Sequence, residues 1–154
     1  LNQYLSVKCD EKDVDLNWFR IFYVYGPGQR ERSLIPTLIK SIAAQGIPRI
    51  NTPLYKNDFV YVEDVAKVFA KAVDINLPSG VYNLGSGYAT SVYDICRIVE
   101  EQLLGNETIS KQVLMNGQQD KKVNFWADME KSKMYDFTIT TTIDKGINNM
   151  IETN

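Results

Sequence analysis

Arg20-Ile21-Phe22-Tyr23-Val24-Tyr25-Gly26-Pro27-Gly28-Gln29-Arg30 is the stretch on which the reading of this chain turns. Ile21 to Tyr25 are all aromatic or β-branched, the composition of a strand. Pro27 has no N–H to give a ladder, and the glycines on either side permit a sharp reversal. The strand therefore ends at Tyr25-Gly26-Pro27-Gly28. Arg30 and Arg32 follow at once, and then an amphipathic pattern begins. The unit is strand, turn, helix, with positive charge at the turn.

Outward from this unit the pattern alternates. Upstream, Leu1, Leu5 and Cys9 recur at helical spacing, so residues 1–13 read as the end of a helix. The strand itself runs from about Leu16 to Tyr25. Downstream, Ser33 is placed to cap a helix over 34–45 whose apolar face is Leu34, Ile35, Leu38, Ile39 and Ile42. Residues 47–57, with Pro48 and Pro53, read as a short strand and a loop. Phe59 to Val62 is extended, and Glu63 and Asp64 open a helix over 64–73. A turn at Leu77 to Gly80 leads to a strand, Val81 to Leu84, broken by Gly85-Ser86-Gly87. Ser91 and Asp94 form a capping box for a helix that Gly105-Asn106 stops. Residues 106–122 are polar and poorly periodic. A short strand is expected over Lys122 to Ala127, a small helix from Asp128, and a terminal helix over 143–152. Strands alternating with helices give an α/β class, with too few strands for a complete doubly wound sheet.

Composition excludes more than it selects. The chain of 154 residues is 44% hydrophobic and 23% charged, with a net charge of −2. That is the balance of a globular domain, with no electrostatic signal for nucleic acid or a membrane surface. No apolar run approaches the roughly 20 residues of a membrane-spanning helix. The beginning, Leu1-Asn2-Gln3, has no signal-peptide pattern and no methionine, which suits a fragment. Cys9 and Cys96 are read as reduced thiols in a cytoplasmic protein. With no histidine, His-based triads and zinc-type protease sites are excluded within these residues. Six Phe, nine Tyr and two Trp do not interleave with basic residues, so they read as core and pocket wall.

Four segments together resemble the extended short-chain dehydrogenases, the NAD-dependent epimerase/dehydratase family that acts on nucleotide sugars. Arg20 to Arg30 is similar to the family's R-x-F-N-x-Y-G-P-G-x-R. Asn57-Asp58-Phe59-Val60-Tyr61-Val62-Glu63-Asp64-Val65 is similar to R-D-F-x-Y-V-x-D-V. Tyr82-Asn83-Leu84-Gly85-Ser86-Gly87 is similar to Y-N-x-G-x-G, with Ser91 opening the next helix. Trp126-Ala127-Asp128 through Lys133 is similar to the A-D-x-x-K segment near the family's C-terminus. The resemblance covers nearly the whole chain but only the family's later half. It implies the C-terminal part of a Rossmann-type parallel sheet plus a small α/β substrate-binding domain. Residues 1–28 would close the cofactor domain, and 29–154 would mainly form the substrate domain, with Val81 to Leu84 returning to the cofactor sheet.

The family's G-x-x-G-x-x-G phosphate turn is not found. Gly85-Ser86-Gly87 lies between a strand and a helix but lacks the third glycine and the later acidic residue, so it reads as a tight turn. The family's catalytic pair is Tyr-x-x-x-Lys on one helical face, and Tyr4 and Lys8 match it literally. A parallel crossover takes about a dozen residues or more. Lys8 to Arg20 leaves 11, several of them in the strand, so the match is read as a coincidence and the true pair as lying upstream.

The resemblance assigns binding roles residue by residue. Ile21 and Phe22 would meet the nicotinamide end of NAD or NADP, although strand alternation requires at least one of them to be mainly core. Tyr23 stands where the family has a substrate-contacting asparagine. Ser33 and Leu34, with Arg30 and Arg32, would approach a diphosphate at a helix N-terminus, or form an ordinary cap with solvated arginines. Arg49, Ile50 and Asn51 match a strand along the nucleotide base. Asn57, preceded by Lys56, replaces a diphosphate-binding arginine, and a second arginine is missing near Asn116 to Asp120. Asp58, Asp64, Asn83 and Asp128 read as caps and turn formers. The implied ligand is a nucleotide-diphospho sugar, and the full-length enzyme is expected to be a homodimer. A non-catalytic binding module on the same scaffold and a flavodoxin-like domain using Gly85-Ser86-Gly87 are the competing readings.

Overall fold

The computed structural model describes residues 1–118 and 124–153. In chain order these form α1 (Asn2–Asp10), β1 (Asn17–Ile21), β2 (Tyr23–Tyr25), α2 (Leu34–Ala43), β3 (Lys56–Asn57), β4 (Phe59–Tyr61) and α3 (Val62–Asp74). They continue as β5 (Gly80–Leu84), β6 (Thr90–Ser91), α4 (Val92–Leu104), α5 (Thr108–Asn116), α6 (Glu130–Lys133) and α7 (Ile143–Thr153).

The strand expected from Leu16 to Tyr25 is two strands broken at Phe22. The reason is a change of partner. β1 pairs in parallel with β5, from Asn17 opposite Gly80 to Ile21 opposite Leu84. β2 pairs in parallel with β4, Tyr23 opposite Phe59 and Tyr25 opposite Tyr61. A short antiparallel pair joins β3 to β6.

β4 explains why the core has two halves. Its three residues are all buried, and side chains alternate across a strand. Phe59 and Tyr61 enter a cluster with Tyr25 and the helices α2, α4, α5 and α7. Val60 enters the other, with Val65, Val68, Leu77, Tyr82, Leu84 and Phe137. Burial on both faces gives the continuous apolar run seen in the sequence.

α2 buries Ile35, Leu38, Ile39 and Ile42, as its periodicity predicts. Ser33 stands at the N-cap, but its side chain makes no capping bond. The helix does not need it: each buried aliphatic side chain is worth about 1.5–3 kcal/mol, against about 1 kcal/mol for a cap. The capping box at Ser91 and Asp94 is formed, and Gly105, at φ 66°, ends α4 in the left-handed conformation that glycine tolerates.

Four expectations are corrected. α3 begins at Val62, two residues early. Arg49 to Asn51 are irregular and not a strand. Of the strand expected at Lys122 to Ala127, Lys122 and Val123 lie outside the described residues, and Asn124 to Ala127 are irregular. The polar stretch after residue 106 holds α5. Its amphipathicity is weak, but the buried Glu100 accepts the N–H groups of Ile109 and Ser110 at 2.7 Å each. A side chain from α4 therefore starts this helix.

Candidate functional site

The fork where β1 passes into β2 is the candidate site. Phe22 N–H still donates to Leu84 O on the β5 side, and Tyr23 N–H donates to Asp58 O on the β4 side, both at 3.0 Å. Beyond this point β5 turns away into Gly85-Ser86-Gly87. A crevice at the carboxyl ends of parallel strands, where their connections diverge, is the usual ligand position in open α/β sheets.

Ile21, Phe22, Tyr23 and Phe125 line a hollow of about 290 Å³ there. The ring centroids of Phe22 and Phe125 are 5.8 Å apart and those of Tyr23 and Phe125 6.2 Å, while Tyr23 also lies 5.7 Å from Phe59. Ile21 is 41% exposed, Tyr23 49% and Phe125 41%. Strand alternation had required Ile21 or Phe22 to be mainly core. The break at Phe22 removes that alternation, and both line the hollow. Phe125 was not singled out from the sequence. Its signal was the aromatic pair Phe125-Trp126 directly before Ala127-Asp128.

Asp58 lies beneath the fork with no exposed surface. Its Oδ1 accepts from Ser86 N–H at 2.7 Å and Ser86 Oγ–H at 2.6 Å, and its Oδ2 from Gly87 N–H at 2.9 Å and Ala127 N–H at 3.0 Å. The Ser86 and Gly87 amides are thus directed at a carboxylate of the chain itself, and the Gly85 N–H donates to Met129 Sδ at 3.4 Å, so the loop forms no cradle for a phosphate. A Cβ at Gly85 would lie 2.6 Å from Asp58 Oδ2 and 2.7 Å from Ala127 Cβ, so the close approach requires glycine.

The other predicted residues do not line this hollow. Arg30 and Arg32 are exposed near the start of α2, where Ser33 and Leu34 are half-buried. Asn51 O accepts Gln118 N–H at 2.8 Å, and Lys56 N–H donates to Asn124 Oδ1 at 3.1 Å. Asn57 is buried, and its Oδ1 has no hydrogen-bond partner among the described residues. Arg49 is exposed and Ile50 half-buried in the irregular segment before Asn51. Tyr4 and Lys8 are elsewhere. α1 contributes Asn2, Ser6 and Asp10 to a hollow with Leu16, Trp18 and Ser79 to Val81, at the amino ends of β1 and β5. Lys8 Nζ is paired with Glu11 Oε2 at 2.6 Å.

A further buried carboxylate, Asp64, stands in the first turn of α3. Asp64 accepts from Thr141 N–H at 2.7 Å and Thr140 N–H at 3.1 Å. Burial pushes its carboxyl upward, but the Thr141, Lys67 and Thr140 hydrogen bonds outweigh this and hold it below the usual aspartate value. Burial also raises the Tyr25 hydroxyl above its ordinary value, with Tyr61, Asp64 and Asp144 adding to the effect. Among the described residues no group of acidic, cysteine or histidine side chains could hold a metal ion. No helix among them is long and apolar enough to cross a membrane.

Comparison with known proteins gives a consistent result. The family model of the NAD dependent epimerase/dehydratase family matches residues 2–85. The ADP-L-glycero-D-manno-heptose-6-epimerase of Cupriavidus pinatubonensis is 29% identical over 99 residues, covering 57% of this chain and 30% of that protein. The UDP-glucose 4-epimerase of Thermotoga maritima, solved with UDP-glucose, superposes with a TM-score of 0.82 at 20% identity, over 98% of this chain and 49% of its own. The Bordetella bronchiseptica enzyme WbmF, solved with NADH, gives 0.82 at 24% identity, over 97% and 48%. At such identities these superpositions establish the fold: the α/β arrangement with parallel strands of Rossmann-type epimerase structures. The chain spans about half the length of those structures and under a third of the heptose epimerase. With a match over more than half of its residues, the chain belongs to the NAD dependent epimerase/dehydratase family.

Proposed function

We propose that these residues are the substrate-binding C-terminal portion of an NAD(P)-dependent nucleotide-sugar epimerase or dehydratase. The observation that carries the proposal is the aromatic hollow at the fork of β1 and β2, opening where parallel strands diverge. Residues 1–28 close the cofactor domain, 29–154 mainly form the substrate domain, and the pairing of β5 with β1 supports the return of Val81 to Leu84 to the cofactor sheet.

The cofactor's fit is divided. Ile21, Phe22 and Phe125 offer an apolar wall suited to the flat nicotinamide end. The Ser86 and Gly87 amides are taken up by Asp58 and the Gly85 amide by Met129, so the pyrophosphate has no cradle on this loop. When bound, NAD or NADP supplies transient acceptance and return of a hydride. Ile21 and Phe22 orient its reactive ring and exclude water, and Tyr23 faces the sugar. Arg30, Ser33 and Leu34 border the diphosphate, Arg49 to Asn51 the base, and Lys56 and Asn57 stand where a diphosphate arginine would be. Without a glycine-rich loop, and with Tyr4 and Lys8 of α1 read as a chance match to the catalytic pair, these residues alone are inactive. The parent enzyme is a cytoplasmic homodimer that binds neither nucleic acid nor membrane.

Two measurements test this. The gene upstream of Leu1 should encode G-x-x-G-x-x-G and, shortly before Leu1, Tyr-x-x-x-Lys; an upstream half without them defeats the enzyme reading. Calorimetry on the 154 residues should show no binding of NAD, and micromolar affinity for it would overturn the division of labour. A second reading, a non-catalytic nucleotide-sugar-binding module, is favoured by one observation: Asn57 is buried with its Oδ1 unpaired among the described residues, and presents no cation.

A further inference from the structure

We infer that Asp58 is the positioning residue of the aromatic hollow: its main chain sets one wall, Tyr23, and its carboxylate sets the other, Phe125. The two connections are separate bonds from one residue. Asp58 O receives Tyr23 N–H at 3.0 Å, where β2 leaves β1. Asp58 Oδ2 receives Ala127 N–H at 3.0 Å, two residues beyond Phe125. The same carboxylate holds Ser86 and Gly87, so the loop that leaves β5 is tied to the same point. No other element among the described residues bonds to both Tyr23 and the 125–127 segment. The segment is otherwise irregular and has no ladder to hold it.

The chemistry of the residue fits this role closely. All four groups facing the side chain are donors, three N–H and one O–H. A carboxylate accepts on both oxygens, whereas a carboxamide turns an NH₂ group against at least one N–H. Asp58 makes no ion pair among the described residues, so these four bonds are its whole compensation for burial. Asparagine is therefore not a neutral replacement despite its shape. Asp64 provides the matched control, since it is equally buried and also holds two backbone N–H groups, but those belong to Thr140 and Thr141.

The inference extends the proposed function to a residue that touches no ligand, and its ligand arm rests on that reading. The test is nitrogen-15 and aromatic NMR on the whole 154-residue chain as wild type, Asp58→Ala, Asp58→Asn and Asp64→Asn, with UDP-glucose as the probe. In Asp58→Ala the amides of Ser86, Gly87 and Ala127 exchange at least about tenfold faster, the loss of a hydrogen bond to a charged acceptor. The Phe125, Phe22 and Tyr23 ring signals shift together, while Tyr23 N–H, bonded to a main-chain oxygen, stays protected. If the alanine variant does not fold, Asp58→Asn still frees at least one of the three amides and moves the ring signals. Affinity for UDP-glucose falls about tenfold in Asp58→Asn, a loss of 1.4 kcal/mol, and stays within about twofold in Asp64→Asn. Unchanged ring signals in Asp58→Asn, or the same shifts in Asp64→Asn, overturn the inference. A wild-type chain that ignores UDP-glucose while the exchange and ring effects persist refutes the nucleotide-sugar reading and leaves the positioning role standing.

Discussion

Replacing Glu100 by glutamine should weaken the fold more than any comparable change of charge at the surface. Glu100 has no exposed area, and both its oxygens accept backbone N–H groups at 2.7 Å, from Ile109 and Ser110. Glutamine keeps the length and one acceptor oxygen, and turns an NH₂ group against the second N–H. A buried N–H left without a partner costs about 1–3 kcal/mol, from a total that for single domains is about 5–15 kcal/mol. With a urea dependence of about 1–3 kcal/mol per molar for small proteins, the unfolding midpoint should fall by roughly 1 M. Local effects should follow the same path. Amide exchange at Ile109 and Ser110 should accelerate, and so should exchange at Gln118, because α5 ends beside the Asn51 carbonyl that Gln118 N–H reaches. Urea unfolding followed by far-UV circular dichroism, with exchange read by NMR, makes the measurement. A wild-type midpoint with unchanged exchange at Ile109 and Ser110 would refute the claim that Glu100 starts α5.

Three further outcomes are expected. Asp64 has a folded value below its ordinary one, so its contribution is complete at neutral pH and is lost as pH falls below about 4, through the folded value. Asp64→Asn should therefore flatten the acid limb of stability against pH; equal losses between pH 7 and pH 3 in variant and wild type would contradict this. Gly85→Ala should cost about 1–3 kcal/mol, the range for overpacking, because the added methyl meets Asp58 and Ala127 within 2.7 Å; a thermal melt at the wild-type temperature would argue against that contact. The Cys96 thiol is pushed up to about 12 by burial, with Glu100 adding to the effect, so a thiol reagent at pH 8 should label half-buried Cys9 alone in the folded chain and both cysteines in urea. Labelling of Cys96 at a comparable rate without urea would show that the α4 core opens freely.

Much of the fold was legible because its signals are local. The apolar spacing of α2, the Ser91–Asp94 box and the helix stop at Gly105 are each decided within a few residues, and each is found as read. α5 was not legible, because what starts it is a glutamate on the preceding helix and not a residue of its own first turn. Ser33 shows the opposite error. A good capping residue stands in the right place and makes no cap, since the burial of Ile35, Leu38, Ile39 and Ile42 already holds the helix. At the candidate site, Ile21, Phe22 and Tyr23 could be named from their segment, but Phe125 comes from about a hundred residues later and could not be paired with them.

By itself, then, the sequence determined the order and kind of most elements, the strand–turn–helix at residues 20–43 and the family to which those segments belong. Those properties rest on backbone preferences and apolar periodicity, which act over a few neighbouring residues. Only the tertiary structure decided that the strand breaks at Phe22. The cause is the separation of its two partners, β5 and β4, which no local preference encodes. It also decided that Asp58 is a junction of three segments and that Ser86 and Gly87 serve that aspartate in place of a phosphate. A carboxylate binds whichever donors the fold brings within 3 Å, and that choice is made across the chain and not along it.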